Sequence, residues 1–111
     1  MAAGQHNILL EEGSAFTRIL TIESAPGVPI NLTGYTFAAK MKRNIADAEP
    51  ALTFTIAVSN AAAGQVAWTA TSAQTLALAP QVHHYDVDMT HGSTTTRILE
   101  GLAWVSPSVT A

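Results

Sequence analysis

From Tyr35 the chain alternates with period two: Tyr35, Phe37, Ala39 and Met41 fall on one side, and Thr36, Ala38, Lys40 and Lys42 on the other. Successive side chains of an extended strand point to opposite faces, so this pattern specifies a half-buried β-strand. Leu52, Phe54, Ile56 and Val58, interleaved with Thr53, Thr55, Ala57 and Ser59, repeat the pattern after the polar connection "NIADAEP". Val66, Trp68 and Ala70 give a third strand after the small-residue turn "SNAAAG", with an indole on its inner face. Tyr85, Val87 and Met89, alternating with His84, Asp86, Asp88 and Thr90, give a fourth. "THGS" then supplies a turn at Gly92, from which "TTTRILEGLAWVS" returns as a long strand and closes a hairpin.

Near the N-terminus "HNILLEEG" and "AFTRILTIE" are β-branched and apolar enough for two strands, separated by Gly13-Ser14. Ile19 falls on the face opposite Phe16, Leu20 and Ile22, which predicts a bulge or a strand covered on both faces. "TSAQTLALAP" departs from the β pattern: Ser72 caps a short helix that turns Leu76 and Leu78 inward before Pro80 stops it. Short strands, turns and one helical connection point to an all-β fold, an antiparallel sandwich of about seven or eight strands, with a closed barrel as the alternative.

At 111 residues and 48% hydrophobic content the chain is the size of a single domain, residues 1–111, that buries its own core. Charged residues are only 12% and the net charge is −3, too weak a field to draw nucleic acid or an anionic membrane. A low-charge, slightly apolar surface is instead what a chain covered by other subunits presents. There is no cysteine, hence no disulfide scaffold and no thiolate metal site. No apolar run reaches the length of a membrane span.

"HHYDVDMTH" is the densest set of potential ligands. His84, Asp86 and Asp88 share one side of a strand with His91 just past its end, but successive members stand about 6.5–7 Å apart. That spacing is too wide for one zinc with bonds of roughly 2 Å, so the expectation is a wet face with no metal, while His83 and His91 sit at the strand ends. No G-x-S-x-G elbow is present, and no base is placed beside any hydroxyl, so no catalytic residue and no cofactor is assigned. Lys40, Lys42 and Arg43 form a small basic cluster, too few for nucleic-acid binding by charge alone. Trp68 belongs to the core. Leu102 and Trp104 fall opposite Ala103 and Val105, so the last strand is apolar on both sides, and Leu102, Trp104 and Val105 are a candidate subunit interface.

"GVPINLTGYTF" contains the acceptor pattern Asn31-Leu32-Thr33 for N-linked sugar. The opening residues "MAAGQHN" lack the basic start and apolar run of a secretory leader, so the expectation is that the pattern is unused. The mechanical reading is a structural turn: Pro29 stiffens the approach, Asn31 or Thr33 bonds the backbone, Gly34 permits the bend, and Tyr35 enters the core.

"PGVPINLTGYTFAAKMKR", followed by "GQVAWTATSAQTLALAPQVHHYDVDMTHGSTTTRILEGLAWVSPSVT", resembles small phage and prophage structural proteins of tails and baseplates. The shared words are a Gly-x-Pro-x-Asp-Leu-Thr-Gly turn, a strand ending in a basic residue, a late Tyr-Asp strand and an apolar-Glu-Gly strand. Asn31 stands where that pattern carries Asp. The first half also resembles the N-terminal module of upper baseplate proteins. The resemblance covers the chain from Phe16 onward and implies an immunoglobulin-like β-sandwich. It implies a non-enzymatic structural or adaptor subunit of a virion, made in the bacterial cytoplasm, with other virion proteins and further copies of itself as partners. A carbohydrate- or receptor-binding module using Trp104, Tyr35 or the His/Asp face is the alternative, and a metal-dependent enzyme a third.

Overall fold

The structure, a computed structural model, describes residues 4–107. Its elements are β1 (Gly4–Gln5), β2 (Ile8–Glu11), β3 (Phe16–Thr21), β4 (Glu23–Ala25) and β5 (Val28–Pro29). They continue as β6 (Thr36–Lys42), β7 (Leu52–Asn60), β8 (Gln65–Ala70), α1 (Ser72–Leu76), β9 (Val82–His91) and β10 (Thr94–Ser106). The fold is all-β. The strands expected from alternation are β2, β3 and β6 to β10, and the added β1, β4 and β5 are two- or three-residue pieces.

One curled sheet runs β1-β10-β9-β6-β7-β8-β3, with β2 continuing β1 along β10 and β4-β5 forming a separate small ladder. The pairings β6–β9, β9–β10, β6–β7, β7–β8 and β3–β8 are antiparallel. Parallel pairing enters at one edge, where β1 and β2 lie along β10 in a common register, Gln5 opposite Glu100 and Ile8 opposite Ala103. β7 bonds β6 only through Leu52–Phe54 and bonds β8 from Thr55 onward, so β6 and β7 diverge and the sheet folds over itself.

Two clusters fill the space between the layers. In the larger, Trp68 from β8 meets Phe16 of β3 at 5.1 Å and Phe54 of β7 at 5.2 Å, both edge-on, and Tyr85 of β9 at 5.3 Å. Such ring pairs contribute about 0.5–1.5 kcal/mol each beyond the area they bury. The smaller cluster, Ile22, Leu32, Val66 and Met89, fills the region where β6 and β7 part.

Several local expectations change. β3 keeps a regular register along β8 with no bulge, and Ile19 is simply exposed on the outer face. Arg18, on the inward side of this edge strand, lies 5.5 Å over the Phe16 ring, an inward charge of the kind that blocks edge-to-edge pairing. The helix is capped by Thr71, not Ser72: Thr71 Oγ1 accepts from Gln74 N–H, and Gln74 Oε1 accepts from Thr71 N–H. That one-residue shift turns the helix by about a quarter turn. Thr75 and Leu78 face inward, Thr75 Oγ1 donating to Ser14 O at 2.8 Å, while Leu76 is left exposed. His83 and His91 fall at the two ends of β9, as expected, but His83 is no part of a wet face: one residue into the strand, it lies on the buried side with Tyr85, Val87 and Met89.

Between β1 and β2 the chain bends at His6-Asn7. Leu102 N–H donates to Asn7 Oδ1 at 3.0 Å, so a side chain replaces the ladder bond that the bend interrupts. The buried Tyr85 hydroxyl donates to His6 O. Burial also pushes that phenol up to about 12, an effect the Arg18 charge partly offsets. The His6 carbonyl crosses so close to Gly101 that a Cβ there would overlap backbone oxygen. Gly101→Ala is therefore expected to lower unfolding stability by about 1–3 kcal/mol, the usual cost of overpacking. An unchanged urea midpoint for this variant would show that the β1–β2 bend does not rest on the bare glycine.

Candidate functional site

Alternation places the odd residues of β9 in the core, so the even ones line the outer face. Cross-strand register then assembles three rows on that face. Gln5, Glu100, Asp86 and Lys40 form one row across β1, β10, β9 and β6. Leu102, His84 and Lys42 form the next. Leu9, Trp104 and Val82 form the third, across β2, β10 and β9.

The first row depends on a bulge. Register shifts between Arg97 and Leu99, with Arg97 opposite Asp88 and Leu99 opposite Val87. In a regular strand Arg97 and Glu100 would point to opposite faces; the extra residue Ile98 puts both outside while Ile98 and Leu99 pack on the core. Arg97 Nε lies 3.4 Å from Asp86 Oδ2 and 3.9 Å from Asp88 Oδ1, and its Nη1 3.7 Å from Glu100 Oε2. Burial raises the Asp88 carboxyl above its ordinary value, the Asp86 charge adds to this, and Arg97 opposes both. His84, Asp86 and Asp88 thus share a face, as alternation predicts, and both carboxylates belong to a guanidinium. Among the described residues no group of three His, Asp or Glu is arranged to hold a metal ion.

Between the first two rows lies an open-sided groove of about 630 Å³, walled by Lys40, Lys42 and Ile45 on one side and Gln5 and Asn7 on the other. Lys40 and Lys42 have no ion-pair partner among the described residues; Asp86, the cross-strand neighbour of Lys40, pairs with Arg97 instead.

Beside the groove stands the apolar row. Leu9 is 49% exposed, Trp104 48%, Val82 40% and Leu102 42%, four large side chains adjacent on one face. Two of the three expected interface residues, Leu102 and Trp104, are therefore exposed. Val105 is not available as an interface residue: on the opposite side of β10, as alternation has it, it is fully buried in the core, because β10 forms part of the wall of this chain's own interior. Leu9 and Val82 escaped sequence reading. The adjacent leucines of "ILLE" carried a signal, since alternation buries Leu10 and must expose Leu9.

The turn at residues 29–34 is a scaffold for the far end of this sheet. Pro29 pairs with Glu23 in the β4-β5 ladder. Asn31 Oδ1 accepts from Thr33 N–H at 3.1 Å and from Thr33 Oγ1 at 2.8 Å, and Tyr35 N–H donates to Leu32 O. Gly34 has φ 84°, the left-handed geometry that closes such a turn. Tyr35 is half-buried, packs on the smaller cluster and stacks on His91 at 4.6 Å.

What the geometry defines is an all-β domain whose outer face joins an apolar row to a polar groove. Compared with protein-family models and with curated proteins, the sequence matches none.

His83 supplies a pH dependence. It is fully buried, its Nδ1 lies 3.0 Å from Gln81 O, and its Nε2 has no hydrogen-bond partner among the described residues. Desolvation lowers its pKa below the ordinary 6.5; the Gln81 carbonyl opposes this, and the charges of Arg43 and His84 add to the lowering. The unfolded chain therefore binds a proton at His83 more readily than the folded one, and stability falls as pH drops below 6.5. Urea titrations across that range are expected to show the slope in the wild type and a shallower one in His83→Gln; equal slopes would remove His83 as its source. For the ion cluster, Arg97→Gln is expected to raise the Asp88 pKa further, read by NMR titration of its carboxyl carbon. An unmoved or lowered value would mean that Arg97 does not stabilise the carboxylate.

Proposed function

We propose that this chain is a non-enzymatic structural or adaptor subunit of a phage or prophage particle, in its tail or baseplate, acting through protein contacts. The observation that carries contact as the mode of action is the apolar row Leu9, Trp104, Val82 with Leu102 beside it. These side chains sit on paired strands of a sheet, where the backbone is fixed, so the row is a preformed surface that loses little entropy when covered. A central tryptophan with aliphatic neighbours is the composition of an interface anchor. The placement in a virion, and the immunoglobulin-like assignment of the sandwich, rest on the turn and strand words "PGVPINLTGYTF" and "YDVDM…RILEGLAWV" that resemble tail and baseplate proteins.

A second reading is favoured by one observation: Trp104 stands beside a groove lined by amide, carboxylate and ammonium groups, the pairing of flat ring and polar side chains that holds a sugar. It makes the chain a carbohydrate- or receptor-binding module of a tail tip.

The test is mass spectrometry and immunolabelling of particles purified after induction of a lysogen that carries the gene. The protein is expected in the particles at a fixed copy number, and Trp104→Ala with Leu102→Ser is expected to be lost from them. The same double variant should keep its thermal midpoint nearly unchanged, since exposed substitutions usually shift stability by less than about 0.5 kcal/mol. Absence of the wild-type protein from purified particles would sink the structural role. Quenching or shifting of Trp104 fluorescence by host-surface glycans would favour the second reading.

A further inference from the structure

The outer face carries a projection and a recess side by side. Trp104 projects from the apolar row, and the groove opens one row away, past Leu102. A face that holds both a knob and a hole, separated by a single residue row, is self-complementary. A two-fold axis near Leu102 would carry each Trp104 into the groove of the other copy, an isologous contact that closes on itself. We infer that this face is a homodimer interface in which the Trp104 indole of each copy seats between Leu102, Ile45 and the lysine pair Lys40 and Lys42 of its partner.

The chemistry of the recess suits an indole. Ile45 and Leu102 supply exposed apolar surface, and Lys40 and Lys42 are cations without carboxylate partners among the described residues, available to lie over an aromatic face. Charge points to a second copy of this chain rather than to a strongly charged partner. Within the three rows Lys40 and Lys42 are matched by Asp86 and Glu100, the flanking Arg97 by Asp88, and only Glu11 at the far end of β2 adds a charge to this face, so it is close to neutral although the chain carries −3. The rest of the excess acid lies on Glu12, Glu23, Asp47 and Glu49, none of them in the three rows. Two copies can therefore bring these faces together without net repulsion, and a knob on one edge of the recess fixes their relative rotation. The inference deepens the reading that this chain works by protein contact.

Sedimentation velocity of the full chain across micromolar concentrations reads the association directly. Acrylamide quenching reads the indole, because Trp68 is buried and Trp104 is the accessible one. A monomer–dimer equilibrium is expected, with Trp104 protected as the dimer forms. Trp104→Ala should raise the dissociation constant by about thirtyfold or more, as loss of a central aromatic anchor does. Lys40→Trp, which fills the groove with its own ring, should weaken self-association as well. Mixing the two variants should restore a mixed dimer, since one contributes the open groove and the other the intact knob.

A monomer at every concentration would overturn the inference, as would a dimer indifferent to Trp104→Ala or a failure of the two variants to complement. Should Trp104→Ala not fold, the wild-type quenching still decides: an indole equally quenched at all concentrations also overturns it. A protein monomeric in solution but present in purified particles refutes the dimer and leaves the structural role standing; a dimer absent from particles does the reverse.

Discussion

The Trp68 side chain is the contact on which the arrangement of this molecule depends. It is almost wholly buried and touches rings from three other strands, Phe16 of β3, Phe54 of β7 and Tyr85 of β9, so it ties both layers of the curled sheet together. Because side chains alternate along a strand, seating Tyr85 against that indole also decides the orientation of every other residue of β9. His84, Asp86 and Asp88 reach the outer face because Tyr85 and Val87 cannot leave the core. The surface chemistry is in this sense a consequence of an interior packing requirement.

β10 is the second determinant. It pairs with β9 on one side and with β1 and β2 on the other, and within it the bulge at Ile98 changes which residues face out. Before the bulge Arg97 looks outward; after it Glu100, Leu102 and Trp104 do. One extra residue thus places a guanidinium among three carboxylates and aligns the apolar row with the groove. Removing that residue would send Arg97 toward the core, where an unpaired charge is costly.

Much of this was legible from period two. The runs at 35–41, 52–58, 66–70 and 84–90 became β6 to β9 with the expected inner residues except Val58, which is exposed near the outer end of β7; each run is otherwise buried on one face only and alternation records that burial. The turn at Asn31-Thr33-Gly34 was legible because its bonds are local. What escaped was non-local or rotational. The parallel pairing of β2 with β10 leaves no local trace, and without it Val105 looks like surface. A helix of five residues offers little periodicity, so one misplaced cap exchanges Leu76 for Thr75 on the buried face. The bulge was hidden in "RILE", where two adjacent apolar residues break the alternation and Ile98 and Leu99 both pack inward. The groove depends on all three rows being in register and has no signature in any single segment.

The pairing of the first strands with the last has a consequence for how the chain acquires its shape. Asn7 and Leu102, joined by a hydrogen bond, are 95 residues apart. During synthesis β2 emerges early and then has no ladder partner until residues 94–106 have left the ribosome. Until then the inward Ile8 and Leu10 of β2 lack the strand that holds them on the core, so this edge of the core closes in a late step, after β9 has already met β6 and Trp68. A protein wired in this way folds slowly for its size and is vulnerable to association while it waits, which makes the sparse charges near its first strands, Glu11 and Glu12, useful before any native contact exists.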